Sequence, residues 1–123
     1  MTAPPPDNAA SAVLDPRVLE KLVGADPARL RKYARLFTLS MDEVLPQVDA
    51  ALSRHDNTAL AALGHRGKST ARNMGALALA EHFLQLEHAA RGTDLTRTQS
   101  IVAALRPALA EVQAALQRQL PSA

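Results

Sequence analysis

Apolar residues recur every three or four positions along most of this chain, and that spacing is the period of an α-helix. Ala and Leu lead the apolar residues, and both favour helices over strands. The stripe is cleanest near the C-terminus, where it comprises Leu95, Thr98, Val102, Leu105, Leu109, Val112, Leu116 and Leu120. A helix with one apolar face must bury that face against other helices. The chain is therefore expected to be all-helical.

Aspartate, proline and glycine mark where the helices begin and end. Asp15-Pro16 and Asp26-Pro27 each place an N-cap residue before a proline at the first helical position, and Gly75 suits a helix end. These signals predict five helices, over about Pro16–Val23, Pro27–Ser53, Asn57–Met74, Ala76–Arg91 and Leu95–Leu120. Pro46 is expected to kink or break the second helix, and Pro107 to bend the fifth.

Short connections join the long helices, so neighbouring helices are expected to run antiparallel. The expected architecture is an antiparallel up-down four-helix bundle with a short extra N-terminal helix across one end. This domain occupies residues 12–121, after a Pro-rich tail over 1–11 that is expected to be disordered. With 123 residues, the chain is long enough for one such domain and one core.

Composition excludes several classes of function. The chain has no cysteine, which excludes disulfides and thiolate chemistry. A net charge of +2 is too small to predict nucleic-acid binding, and aromatic residues for base stacking are scarce. No apolar run approaches the roughly 18 residues of a membrane span, and the first ten residues lack the features of a signal peptide. We expect a cytoplasmic protein with neither a membrane nor a nucleic-acid partner.

His65 is the strongest candidate for chemistry. On a helical wheel it lies opposite the predicted core face of the third helix, so its imidazole is predicted to be exposed. Lys68 follows three residues later, and Ala61 and Ser69 are small neighbours. This pattern suits a phosphoryl-carrying histidine, because a partner must reach the ring and a cation must offset phosphoryl charge. The alternative is a solvated histidine beside an ordinary surface lysine.

The turn at Gly75 predicts which residues face His65 from the next helix. In an antiparallel hairpin, a residue ten positions before the turn meets residues about ten to twelve positions after it, here Gln85, Leu86 and Glu87. Glu87 could accept a hydrogen bond from Nδ1–H of His65, which leaves Nε2 as the nucleophile. The same spacing also fits a solvated surface acid.

Other polar residues give weaker patterns. His82 and His88 are six residues apart and do not share a helix face, so no metal site is predicted. No Gly-rich phosphate loop is present, so neither ATP binding nor autonomous kinase activity is expected. Arg66 and Arg72 are either solvated charges or cations that steer an acidic partner.

The segment from Leu63 to Glu87 resembles the signature of histidine-containing phosphotransfer (HPt) domains. The matching positions are His65, Lys68, Gly75-Ala76, Leu79 and Leu86-Glu87, within a resemblance over about Leu14–Leu120. The resemblance implies a four-helix bundle in which Nε2 of His65 takes a phosphoryl group from a receiver-domain aspartate and passes it to another receiver. It also implies that Lys68 lies near the phosphoryl group and that Glu87 orients the imidazole.

The resemblance implies the partners as well. Receiver domains of response regulators, a hybrid histidine kinase or both would dock over a surface that comprises Ala61, Arg66, Ser69, Arg72 and Gln85. The receiver would supply Mg²⁺, so no cofactor or metal is expected in this chain. We expect a monomeric phosphocarrier and not an enzyme.

Two residues depart from the family pattern. Ser69 stands where the family usually has glycine, and Gly67 where it usually has an apolar residue. Gly67 is expected to weaken packing and helix propensity by about 1 kcal/mol or more. These departures are the reason for a second hypothesis, an adaptor that sequesters a receiver without accepting phosphate. A third hypothesis is an unrelated helical scaffold that self-associates through its Ala and Leu faces.

Overall fold

The computed structural model describes residues 12–120, and within that range it consists of five α-helices without a β-strand. They are α1 (Pro16–Val23), α2 (Pro27–Ser53), α3 (Asn57–Met74), α4 (Leu77–Arg91) and α5 (Leu95–Gln119). The predicted helices are all present, and only the start of α4 and the end of α5 differ, each by one residue. The predicted tail over 1–11 and position 121 lie outside the described residues.

Side-chain caps explain why three of the helices begin where they do. Asp15, Asp56 and Asp94 each accept a hydrogen bond of 3.0 Å from a backbone N–H in the first turn of α1, α3 and α5. Such caps satisfy donors that no helix carbonyl reaches. Gly75 ends α3 with a φ of 86°, a left-handed conformation that glycine adopts without strain. Its carbonyl accepts a hydrogen bond of 2.8 Å from the Asp15 backbone N–H, so this turn also holds the start of α1.

α2 and α5 continue through their internal prolines. Pro46 and Pro107 are both exposed, and α2 is a single helix from Pro27 to Ser53. The possible break at Pro46 is therefore absent. Because the ring lies on the solvent side, water can bond the carbonyl that proline leaves without its usual donor.

The four long helices contact one another in a ring. α3 packs most extensively against α4; α2 packs against α3, α4 against α5, and a smaller contact between α2 and α5 closes the ring. α1 lies against α3 and α2. The largest fully buried side chains include Phe83, Met41, Leu60, Leu79, Leu86 and Leu105. The antiparallel order of the long helices stays a prediction. None of the helices within residues 12–120 has the length and apolar character needed to cross a membrane.

Two glycines let α3 and α4 approach closely. A Cβ at Gly64 would lie 2.9 Å from the backbone nitrogen of Glu87 and 2.9 Å from the carbonyl oxygen of Phe83. A Cβ at Gly67 would lie 2.5 Å from two carbons of the Phe83 ring, which is fully buried. The expectation that Gly67 weakens packing is therefore wrong, because the Phe83 ring fills the space that a larger residue would take.

Candidate functional site

The candidate site lies between α3 and α4, where an exposed imidazole meets a buried carboxylate. The side chain of His65 is 63% exposed, and its Nδ1 lies 3.3 Å from Oε2 of Glu87. The side chain of Glu87 is only 4% exposed. The structure thus places Glu87 where the count about the Gly75 turn expects it, and it contradicts the alternative of a solvated surface acid.

Both carboxylate oxygens of Glu87 have cationic partners. Oε1 accepts a hydrogen bond of 3.0 Å from Nζ of Lys68 on α3. Oε2 lies 2.8 Å from an Nη atom of Arg91, one turn later on α4. Burying a charge is costly unless the charge is paired and hydrogen-bonded, and these two cations meet that requirement.

Glu87 is ionised at neutral pH despite its burial. The hydrogen bond from Lys68 lowers the pKa of the Glu87 carboxyl, and the charges of Lys68, Arg91 and His65 lower it further, against burial, which raises it. An ionised carboxylate only accepts hydrogen bonds. It faces Nδ1 of His65, so it can pair with that nitrogen only when Nδ1 carries a proton, and Nε2 is the other ring nitrogen.

Lys68 is not a free surface cation. Its side chain is only 14% exposed, and its ammonium group points to Glu87. The sequence predicts Lys68 on the same exposed face as His65, but the lysine instead lies at the edge of that face next to α4. His65 and Lys68 therefore share a single carboxylate in the unphosphorylated protein.

Gly64 accounts for the short distance across this site. It precedes His65, and its missing side chain lets the backbone of α3 reach the backbone of α4 at Glu87. A residue with a Cβ would hold the two helices apart at this level. The sequence alone does not single out Gly64, because nothing local distinguishes a packing glycine from any other helical glycine.

The predicted docking residues divide into three groups. Arg66, Ser69 and Arg72 are exposed on α3, as expected, and Arg66 reaches Glu43 of α2 at 3.4 Å. Gln85 is partly buried, donates to Glu81 at 3.2 Å, and accepts from Arg97 of α5. The prediction that Ala61 contacts a partner is wrong, because Ala61 is only 8% exposed and belongs to the core.

The burial of Ala61 has a simple geometric cause. Ala61 lies on the edge of α3 that also carries Gly64 and Lys68, and both of these residues approach Glu87. That edge therefore faces α4. Because α3 packs against α2 on one side and α4 on the other, its buried arc is wider than a single apolar stripe.

Arg91 is a member of the site that the sequence analysis does not predict. It lies four residues after Glu87, the spacing at which oppositely charged side chains meet on a helix surface. That spacing is the signal that could have identified it. The signal is weak by itself, because such pairs are common on any charged helix.

Comparison with known proteins agrees with this helical fold. The model of the Hpt domain matches residues 32–115, which is more than half of the chain. The chain therefore belongs to the family of histidine-containing phosphotransfer domains. Members of this family are phosphocarriers in phosphorelays that interact with receiver domains and kinases. The chain is accordingly a histidine phosphotransfer protein.

A solved structure of a histidine-containing phosphotransfer protein has a similar fold. The crystal structure of histidine-containing phosphotransfer protein B (HptB) from Pseudomonas aeruginosa PAO1 is similar, with a TM-score of 0.81 and 29% sequence identity. The similarity covers 89% of this chain and 95% of that one. No curated protein matches the chain.

Proposed function

We propose that this protein relays a phosphoryl group between receiver-domain aspartates, with Nε2 of His65 as the phosphoryl acceptor. The observation that carries the proposal is an exposed imidazole whose other nitrogen faces a buried, ionised carboxylate. A nucleophile must be reachable by its partner, and a reactive tautomer must be held in place. His65 is exposed and meets the first requirement, and Glu87 faces its Nδ1 and is suited to meet the second.

The proposed transfer begins when an aspartyl-phosphate of a receiver docks over His65. The lone pair of Nε2 attacks phosphorus, the bond between phosphorus and the aspartyl oxygen breaks, and the aspartate leaves as a carboxylate with that electron pair. His65 keeps its Nδ1 proton, so the imidazole ring gains a positive charge. Glu87, 3.3 Å from Nδ1, offsets this charge. Transfer to a second receiver reverses the same steps.

Lys68 is the proposed counter-charge for the phosphoryl group. It lies one turn after His65, and its ammonium group reaches the same carboxylate as the imidazole. We propose that the receiver brings the Mg²⁺ that stabilises the transferring group. The negative charge of the phosphoryl group must be offset by the receiver as well as by this chain. This chain contributes the nucleophile, its orientation and one ammonium group.

We propose that receivers, with or without a hybrid histidine kinase, dock on the exposed face of α3. Arg66, Ser69 and Arg72 are exposed there. The two arginines are suited to steer an acidic receiver surface, and the serine is small enough for close approach. We further propose a cytoplasmic monomer whose four long helices run antiparallel, as the short connections between them favour.

Phosphotransfer with purified protein tests the proposal. The wild type, His65→Gln and His88→Gln are incubated with a radiolabelled phospho-receiver, and acid-labile label on each protein is measured. His88 is the matched control, because it is exposed on α4. We expect label on the wild type and on His88→Gln but not on His65→Gln. Label on His65→Gln at the wild-type level would refute the proposal. Tight receiver binding without label on the wild type would favour the adaptor hypothesis.

A further inference from the structure

The proposed transfer places two demands on Lys68. In the unphosphorylated protein its ammonium group is bonded to Oε1 of Glu87 at 3.0 Å. In the phosphorylated protein the same ammonium group must face the phosphoryl group on His65. If Lys68 turns away, Glu87 loses its closest cation from α3 while it stays 4% exposed. A buried carboxylate that loses its cation tends to take up a proton, and a protonated Glu87 would no longer hold Nδ1–H.

Arg91 is placed to prevent this loss. Its guanidinium lies 2.8 Å from Oε2 of Glu87, the oxygen that also faces Nδ1 of His65. Arg91 and Glu87 are both on α4, four residues apart, so their contact does not depend on the position of α3. A guanidinium also has a planar fork of donors that matches a carboxylate.

We propose that Arg91 is a positioning residue that keeps Glu87 ionised and in place while Lys68 turns to the phosphoryl group. The inference rests on the proposed function, because it concerns the step in which His65 carries phosphate. In that state, the phosphoryl group brings about two negative charges and the imidazole ring one positive charge. Lys68, Arg91 and Glu87 then bring the total near zero, whereas without Arg91 the site would hold an uncompensated negative charge.

The proposal predicts that either Lys68 or Arg91 alone is enough to keep Glu87 ionised in the unphosphorylated protein. The Nδ1–H tautomer of His65 should therefore persist in Arg91→Gln and in Lys68→Gln and be lost in the double variant. Nitrogen-15 NMR of the imidazole at about pH 8 measures the tautomer without any phosphotransfer. If Arg91 has no effect on Glu87, the double variant should have the same His65 tautomer as Lys68→Gln. That result would overturn the proposal.

Phosphotransfer rates provide the second readout. We expect Arg91→Gln to accept phosphate about tenfold more slowly than the wild type, the effect of losing one close ion pair with a buried carboxylate, and Arg91→Lys to recover most of the rate. Arg106→Gln is the matched control, because Arg106 makes an exposed pair of the same 2.8 Å length with Asp49, on α5 and α2. Its rate should match the wild type.

The outcomes separate this inference from the proposed function. A wild-type rate in Arg91→Gln, together with no label on His65→Gln, would overturn the role of Arg91 and leave the phosphocarrier intact. Absence of label on the wild type would overturn both. If Arg91→Gln does not fold, which thermal unfolding would show, the Arg91→Leu variant takes its place in both measurements.

Discussion

Replacement of Gly64 by alanine tests whether the close approach of α3 and α4 sets the geometry at His65. The new Cβ would lie 2.9 Å from two backbone atoms of α4, the nitrogen of Glu87 and the carbonyl oxygen of Phe83. Backbone atoms cannot rotate away as the end of a side chain can. The helices must therefore separate locally, or α3 must bend.

The size of the effect follows from these distances. Relief of a 2.9 Å contact to about 3.5 Å requires a movement of about 0.6 Å. The same movement across the site would lengthen the 3.3 Å distance between Nδ1 of His65 and Oε2 of Glu87 to roughly 3.9 Å, close to the limit of about 4 Å for an ion pair. Overpacking costs about 1–3 kcal/mol, and alanine regains about 1 kcal/mol of helix propensity. The net loss of stability is thus about 1 kcal/mol.

Thermal unfolding and the phosphotransfer assay measure the two effects. We expect the melting temperature of Gly64→Ala to fall by about 4 °C and phosphate acceptance to slow about tenfold. Gly92→Ala is the matched control, because Gly92 has a φ of −81° and the nearest atom to an added Cβ is 3.5 Å away. It should keep the wild-type rate and gain up to about 1 kcal/mol. If Gly64→Ala behaves like Gly92→Ala in both assays, α3 and α4 can accommodate the added methyl group at Gly64 without moving apart. The reasoning would then be wrong.

Three further substitutions test the fold and the buried carboxylate. Gly67→Ala should lose about 1–3 kcal/mol in urea unfolding, because its Cβ would lie 2.5 Å from the ring of Phe83, and a gain in stability would show that the ring moves freely. Asp56→Ala should lose about 1 kcal/mol with the cap of α3 while phosphate acceptance is unchanged. Glu87 has a pKa below its ordinary 4.5 in the folded protein, so it stabilises the fold above that pH and the effect is lost as pH falls through the folded pKa. Glu87→Gln should therefore be less stable than the wild type at neutral pH, because Lys68 loses its anion. Its free energy of unfolding should also depend less on pH in the acidic range. An unchanged dependence on pH would contradict the assigned pairing.

The helix boundaries could be predicted because the residues that set them act locally. Asp56 caps α3 through a backbone N–H only three residues away, and Gly75 ends it through its own φ. Such signals need no knowledge of the tertiary structure. The position of Glu87 near His65 also follows from local information, since a short connection limits which residues of the two helices can meet.

The details that sequence analysis did not predict depend on how far side chains reach between helices. A helical wheel places Lys68 near His65 but does not show that its ammonium group extends sideways to a carboxylate on α4. The same wheel leaves Ala61 on the exposed side, because it does not include the second neighbouring helix. For Gly67, the sequence predicts poor packing because the residue is small. The structure shows that the Phe83 ring occupies the space next to it.

The site divides two requirements of the proposed phosphohistidine chemistry between two environments. The nucleophile has to be exposed, because a folded receiver must reach it, and water there weakens any contact that holds the ring. The orienting group is therefore effective only if it is shielded, since an electrostatic hydrogen bond is stronger where the local dielectric is low. Glu87 is shielded, but a shielded carboxylate stays charged only beside cations. Lys68 and Arg91 meet this need for an exposed histidine placed against a buried acid, and under the proposed function one of them can turn to the phosphoryl group while the other stays with Glu87.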